Sequence, residues 1–419
     1  MLFFFFLFII IARSVTKSAS RYHRYSQRKL WTVTFGCYII FTLISHLYVG
    51  NPSTTFFISS DQMYFYDEAI LLSEYDLSDL FSVGFLNFEY SEASFAFMLF
   101  AVLVKVARYL GVADILLFLK FHVAFLASLI PVIIYKIVVL KRDDIPNLYE
   151  RILVFALVSP LLIYSCQLLR DIHVCLLFTI MFYVALRPKQ SYRYLLLLLL
   201  AVITFCFRME NGLFSVAIIF IPIYRTFCTG GIGKKSVIIA TGLVFCVLAL
   251  IPILEVMDDT LMRYAERSSD AASVSSLGDK LNLLPTPLGA FAKAGFSQLL
   301  PFPVWLYMLS GENYAWLRIV EVLFPFYWIP IWMSLIYGWW NYRSLWDRDL
   351  LMIFYVSILY ITLNSIGELN VRRIMAVYPV LLVCFLLLKQ QFNLPKLQMN
   401  KLSYCMIFLF HLIYIVIKI

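Results

Sequence analysis

The stretch Ser165–Cys175, SCQLLRDIHVC, sets Arg170 beside Asp171 between two apolar runs. An unpaired charge at the centre of a bilayer costs about 2.5–3.5 kcal/mol on insertion scales, so charges at such places default to function. Two later groups repeat the pattern: Arg208 and Glu210 in FRMEN, and Arg372 and Arg373 in GELNVRR. Upstream, SSDQMYFYDEA carries Asp61, Asp67 and Glu68. A carboxylate can accept a proton from an attacking hydroxyl. Guanidinium groups grip phosphate oxygens through paired hydrogen bonds. Together these residues read as a general base facing a phosphate clamp, with Asp61 as the base and Asp67 and Glu68 as its rivals. At a membrane surface the natural phosphate is a lipid phosphate or diphosphate.

Each group also has a plain structural reading. Asp61, Asp67 and Glu68 can be solvated loop charges among many acids. Arg170 and Asp171 can cap two helix ends, and Arg208 can pair internally with Glu210. Arg372 and Arg373 are adjacent and cannot point the same way on a helix, which leaves at least one to anchor to headgroups. His173 lies in an apolar run and reads as a satisfied core histidine rather than a catalytic one.

The elements that must position these residues follow from composition. Of 419 residues, 62% are hydrophobic and only 14% charged, and the mean hydropathy is +0.86. That excludes a soluble domain and fits an all-α, polytopic transmembrane helical bundle. Residues 1–419 read as a single integral membrane domain. The net charge of +9 does not signal a nucleic-acid partner, because the basic residues concentrate in short loops at alternate crossings. Eight scattered cysteines without a CxxC exclude a disulfide framework and a zinc site. TGGIG at 229–233 lacks the strand and helix of a nucleotide loop and reads as a turn.

The first apolar stretch, MLFFFFLFIIIA, is short for a span and lacks a signal-cleavage site, which makes it a tilted or partial first helix. A basic stretch from Arg13 to Lys29 precedes a crossing at Leu30–Val49. Residues 50–93 hold eight acids and no Lys or Arg, which places them outside. Apolar runs follow at about 94–110, 114–139, 151–169, 172–186, 195–207, 212–224, 236–254, 316–339, 350–366, 374–388 and 403–417. If all of them cross, the basic loops 141–151 and 187–193 fall outside, against the charge rule. The conflict disappears if 94–110 lies along the outer surface, and Lys105 and Arg108, three apart on one face, suit such a helix. This gives about eleven or twelve membrane segments. The external loops are 50–113, which includes the interfacial helix 94–110, and 255–315. Arg170, Asp171, Arg208, Glu210, Arg372 and Arg373 then converge on one outward-facing pocket. Several runs between 172 and 224 are too short to span, so their polar ends must dip into a protein-lined cavity.

This layout resembles the GT-C glycosyltransferases, which use polyprenyl-linked sugars. The resemblance rests on an external loop with an acidic residue near its start (Asp61 in DQMYFYDEA) and a membrane-parallel helix at its end. The next helix ends in YKIVVLKR, a second acid (Asp171) stands at the outer end of the return helix, and arginines lie at later external helix ends. Among GT-C enzymes the chain looks most like bacterial O-antigen or capsule repeat-unit polymerases, in size, in aromatic content and in LLPFPVW at 299–305. The resemblance implies a polyprenyl-linked glycan donor, a glycan acceptor and a bacterial inner-membrane location with the active site outward. It implies chain-length-regulator or flippase partners, and no required cofactor, with a divalent metal allowed between comparable acids. Asp61 and Asp171 would be catalytic, and Arg170, Arg208, Glu210, Arg372 and Arg373 would hold substrate and phosphate. A transferase adding one sugar from a polyprenyl-phosphate monosaccharide would share this layout. A lipid or glycan transporter is the reading from another class.

Overall fold

A computed structural model describes residues 2–18, 20–49, 61–84, 94–187, 192–229, 288–300, 302–305, 315–367, 370–392 and 396–418. Among them the chain is 87% helix, with no strand. Among the described residues five helices are long and apolar enough to cross a membrane: Arg21–Tyr48, Ile115–Lys141, Ile319–Leu345, Val371–Phe392 and Gln398–Val416. Phe3–Val15, Asp171–Leu186 and Arg193–Phe207 are shorter apolar helices. This is the architecture of a multi-pass helical bundle. Apolar side chains cover these helices, and hydrogen bonds within each helix satisfy the backbone.

The chain begins with α1 (Leu2–Val15) and α2 (Arg21–Val49), both packed along α6 (Ile115–Lys141). Phenylalanines lock α1 in place: Phe4 meets Phe118 at 4.4 Å and Phe8 stacks on Phe125 at 4.2 Å. α6 is the central mast and is buried along most of its length. Asp114 caps its start by accepting the Leu117 N–H at 2.8 Å, which satisfies one of the orphan donors of the first turn.

The described residues of the acidic loop expected at 50–113 form three helices: α3 (Asp61–Leu72), α4 (Leu77–Gly84) and α5 (Ser94–Tyr109). α5 matches the helix expected at 94–110. It is clamped by aromatic contacts on two sides: Phe65 of α3 meets Phe97 at 5.0 Å, and Phe95 meets Phe207 at 4.9 Å. Of the two basic residues that suggested a surface helix, Arg108 pairs with Glu74 in the turn after α3.

The apolar run at 151–169 is not one helix. It divides into α7 (Leu148–Val158), α8 (Pro160–Tyr164) and a buried non-helical stretch that leads to α9 (Asp171–Leu186). Pro160 causes the break, because it lacks an N–H and pushes the preceding Ser159 into extended backbone (φ −81°, ψ 166°). The freed backbone finds other partners, and Leu168 N–H donates to the side-chain Oε1 of Gln62 at 3.0 Å.

α10 (Arg193–Phe207) and α11 (Met209–Thr229) are joined by Arg208 alone, which is extended (φ −163°, ψ 114°). Gly212 permits this corner, since a Cβ there would stand 2.4 Å from Phe205 Cβ. The span expected at 236–254 and most of the loop expected at 255–315 lie outside the described residues. The remaining helices are α12 (Leu288–Ser297), α13 (Ile319–Tyr342), α14 (Arg348–Gly367), α15 (Val371–Ile374), α16 (Tyr378–Phe392) and α17 (Lys396–Lys418). A short 3-10 turn, Met375–Val377, joins α15 to α16. The described part of LLPFPVW packs on α17, where Val304 N–H donates to His411 Nε2 at 3.0 Å.

Candidate functional site

The charges singled out in the sequence meet at one end of the bundle. Asp61 opens α3, Asp171 opens α9, Arg208 fills the corner between α10 and α11, and Glu210 lies in the first turn of α11. Arg372 belongs to α15, whose start is fixed by Asn370, whose Oδ1 accepts the Arg372 N–H at 3.0 Å. Five elements from across the chain thus contribute ends, where charges can be carried without interrupting a helix.

The side chains form a row of alternating sign. Arg372 Nη1 donates to Asp61 Oδ2 at 2.7 Å, and its Nε lies 3.5 Å from Asp171 Oδ2. Arg208 Nη1 donates to Asp171 Oδ1 at 3.2 Å, and Arg208 Nε donates to Glu210 Oε2 at 3.3 Å. The row dips into the protein and returns. Side-chain exposure is 49% at Asp61, 17% at Arg372, 6% at Asp171 and Arg208, and 33% at Glu210. The buried middle is where Coulomb interactions are strongest, and the exposed ends are where a ligand can enter.

Two more arginines complete the cluster. Arg170 Nη1 donates to the Phe207 carbonyl at 3.1 Å, at the C-terminal end of α10, where a cation is favoured. The charges of Arg170, Arg208 and Arg373 all act on Glu210. Among the described residues, four arginines stand against three carboxylates, and the one net positive charge favours an anion.

Of the sequence-predicted residues, Asp61, Asp171, Arg170, Arg208, Glu210, Arg372 and Arg373 therefore share one site. Asp67 does not join it. Six residues after Asp61, it is turned by about 240° around α3. It lies instead with Tyr66, Glu74 and Arg108. Burial, with the charges of Asp114 and Asp67, raises the Tyr66 phenol above its ordinary value. Glu68 falls within about 20° of the Asp61 face but two turns further along α3.

The structure adds residues that carry no charge. Tyr360 of α14 is buried and its hydroxyl donates to Asn211 Oδ1 at 3.0 Å, with the Arg373 carbonyl at 2.9 Å. It ties α11 to the α15 turn and so fixes the spacing of Arg208 and Arg372. Gln62 ties α3 to the break before α9. Gln167, in that break, is fully buried, and neither polar atom of its side chain has a partner among the described residues. A tyrosine or glutamine inside an apolar run looks like ordinary core, so no signal in the sequence marked them.

His173 differs from its expectation. It is buried in the core and stacked on Phe207 at 5.0 Å, but neither ring nitrogen makes a hydrogen bond of good geometry among the described residues. Among the described residues no group of three His, Cys, Asp or Glu side chains is placed to hold a metal ion. A divalent ion between Asp61 and Asp171 would have to displace Arg372, which stands between them. The residues as arranged do not fit such an ion.

No family model, curated protein or solved structure matches the chain.

Proposed function

We propose that the chain is a multi-pass membrane glycosyltransferase with a polyprenyl-linked donor and an outward-facing site, in a bundle of eleven or twelve membrane segments in a bacterial inner membrane. The observation that carries the reading is Arg372, which one carboxylate at the surface and another in the interior hold between them. A guanidinium shared in this way can be claimed by a third anion. The diphosphate of a lipid-linked glycan is such an anion, and guanidinium binds it in the same forked geometry.

The reaction follows from that competition. Donor diphosphate takes Arg372 from Asp61, and the released carboxylate becomes a stronger base. The acceptor sugar hydroxyl attacks the anomeric carbon of the donor, its proton passes to Asp61, and the bond from that carbon to the diphosphate oxygen breaks. The electron pair leaves with the diphosphate, whose charge Arg372, Arg208 and Arg170 neutralise. Asp171 and Glu210 aim the arginines and contact sugar hydroxyls. The favoured substrate is a repeat unit, transferred as a growing chain onto the next lipid-linked unit. Transfer of one sugar would use the same groups.

A transporter is the second reading, and two observations favour it. A second ion cluster stands at the other end of α11, where Arg225 pairs with Asp349, and Lys141 pairs with both Asp349 and Asp347. From Glu210 to Arg225 is fifteen residues, about 22 Å of helix. Paired clusters at both ends, with a broken helix between, suit a molecule that opens alternately. Reconstitution with a lipid-linked oligosaccharide separates the readings. A transferase yields new glycosidic bonds, and a transporter only moves the substrate across the bilayer. Deletion followed by surface-glycan analysis resolves the transferases: loss of a polymerase leaves single repeat units, and loss of a sugar-adding enzyme leaves an altered repeat.

A further inference from the structure

A cavity of about 500 Å³ lies between α7, α13, α16 and α17, away from the charged row. Lys389, on its wall, follows Arg372 by seventeen residues along one nearly continuous helix, a separation of about 25 Å. The size falls in the range of about 300–1,000 Å³ typical of small-molecule sites. Three of its four walls belong to helices long and apolar enough to cross a membrane.

The lining is divided by chemistry. Phe326, Leu382 and Leu386 make an apolar wall. Arg151 and Lys389 stand with Asn147 and Glu150 on the rest of the lining. Arg151 Nη1 is buried, with no hydrogen-bond partner among the described residues. A buried guanidinium nitrogen left in that way is costly, and a bound anion removes the cost. Lys389 Nζ lies 5.5 Å from the Phe385 ring centroid, which holds the ammonium beside the cavity. α7 begins here behind Asn147, which is left-handed (φ 53°) and makes no side-chain cap, so the first N–H groups of α7 add to the positive field. Among the described lining residues, exposed Glu150 is the one opposing charge. At the rim, Val154 is 45% and Phe326 39% exposed, so apolar surface continues from the cavity to the outside of the bundle.

Two cations and an uncapped helix start beside an apolar wall match the head and tail of one class of molecule. We propose that this cavity binds an anionic phospholipid, with its phosphate between Arg151 and Lys389 and an acyl chain against Phe326, Leu382 and Leu386. Basic pockets between membrane helices hold acidic headgroups in this way. The site is independent of the proposed transfer reaction and lies at the other end of the bundle.

The test is native mass spectrometry of the delipidated full chain, titrated with phosphatidylglycerol and with phosphatidylcholine of the same acyl chains. One phosphatidylglycerol should bind at least about tenfold more tightly than phosphatidylcholine, whose choline cation cancels the charge of its phosphate and faces Arg151 and Lys389 in the same lining. The double variant Arg151→Gln/Lys389→Gln should lose that preference. If the double variant fails to fold, Val154→Trp serves instead: it leaves the charges alone, blocks the rim and should abolish tight binding. Excess inorganic phosphate should not displace the lipid. Equal binding of the two lipids overturns the proposal. So does a preference that survives both variants, or displacement by free phosphate, which would mark a phosphate site without an acyl subsite.

Discussion

Gln62 Oε1 accepts the Leu168 N–H at 3.0 Å, and both residues are buried. This single bond joins the start of α3 to the non-helical stretch before α9. Asp61 precedes Gln62, and Asp171 follows Leu168 by three residues, so the bond sets the distance between the two carboxylates that share Arg372. In Gln62→Ala a buried amide loses its acceptor, at a cost of about 1–3 kcal/mol. The variant should melt at a lower temperature in detergent and turn over more slowly, although no charge has changed. Wild-type turnover in Gln62→Ala would show that the bond does not position Asp61.

Asp61→Asn keeps the shape of the side chain and removes its basicity. If Asp61 takes the proton of the acceptor hydroxyl, turnover should fall by about 10²–10⁴-fold. Donor binding should persist or tighten, because Arg372 no longer has to leave a carboxylate. Single-turnover assays with lipid-linked donor measure both quantities. Near-normal turnover where chemistry limits the rate would remove Asp61 from the role and direct attention to Glu68, on the same face of α3.

Arg208 and Asp171 are both 6% exposed and depend on each other. Arg208→Met removes the nearer of the two described arginines from Asp171 and leaves a buried anion beside Arg372. Breaking a buried pair from one side costs about 3–5 kcal/mol. Arg208→Met/Asp171→Asn should recover much of that stability, read as a thermal midpoint. It should not recover activity, because the phosphate clamp stays incomplete. Recovery of both would make the row a structural lock and no more.

Orientation can be tested with cysteines placed at the two ends, in a background lacking the native thiols. Ser78 is exposed in α4 at the Asp61 end, and Asp143 is exposed just after α6 at the basic end. Ser78→Cys should react with a membrane-impermeant reagent added to intact cells, and Asp143→Cys should react only after permeabilisation. The opposite pattern would turn the candidate site inward and refute a reaction outside the cell.

Most of the charged row was legible in the sequence, because ionised groups beside apolar runs stand out against so few charges. Their partners were not. Which arginine faces which carboxylate depends on how α3, α9, α11 and α15 are turned, and no local pattern records that. Asp67 rivals Asp61 only in a loop; the helical turn of α3 sends it elsewhere. Ser159–Pro160 was visible, but the apolar residues on either side hid the break, since hydropathy does not distinguish a buried helix from buried irregular backbone. Tyr360 and Gln62 matter through contacts with residues 149 and 106 positions away, respectively.

The joining of α10 to α11 by Arg208 alone bears on how the chain is made. With no loop between them, neither helix can enter the bilayer as a separate unit, and the two must go in together as a hairpin. In the proposed orientation the tip of that hairpin ends outside, so the Arg208 guanidinium has to be carried through the hydrocarbon during synthesis. An isolated arginine meets a barrier of about 2.5–3.5 kcal/mol at that depth on insertion scales. Glu210 travels with it, two residues away and already within 3.3 Å in the finished protein. A pair of opposite charges meets a lower barrier than a lone arginine, so the nearness of Glu210 in the chain would ease the passage of Arg208.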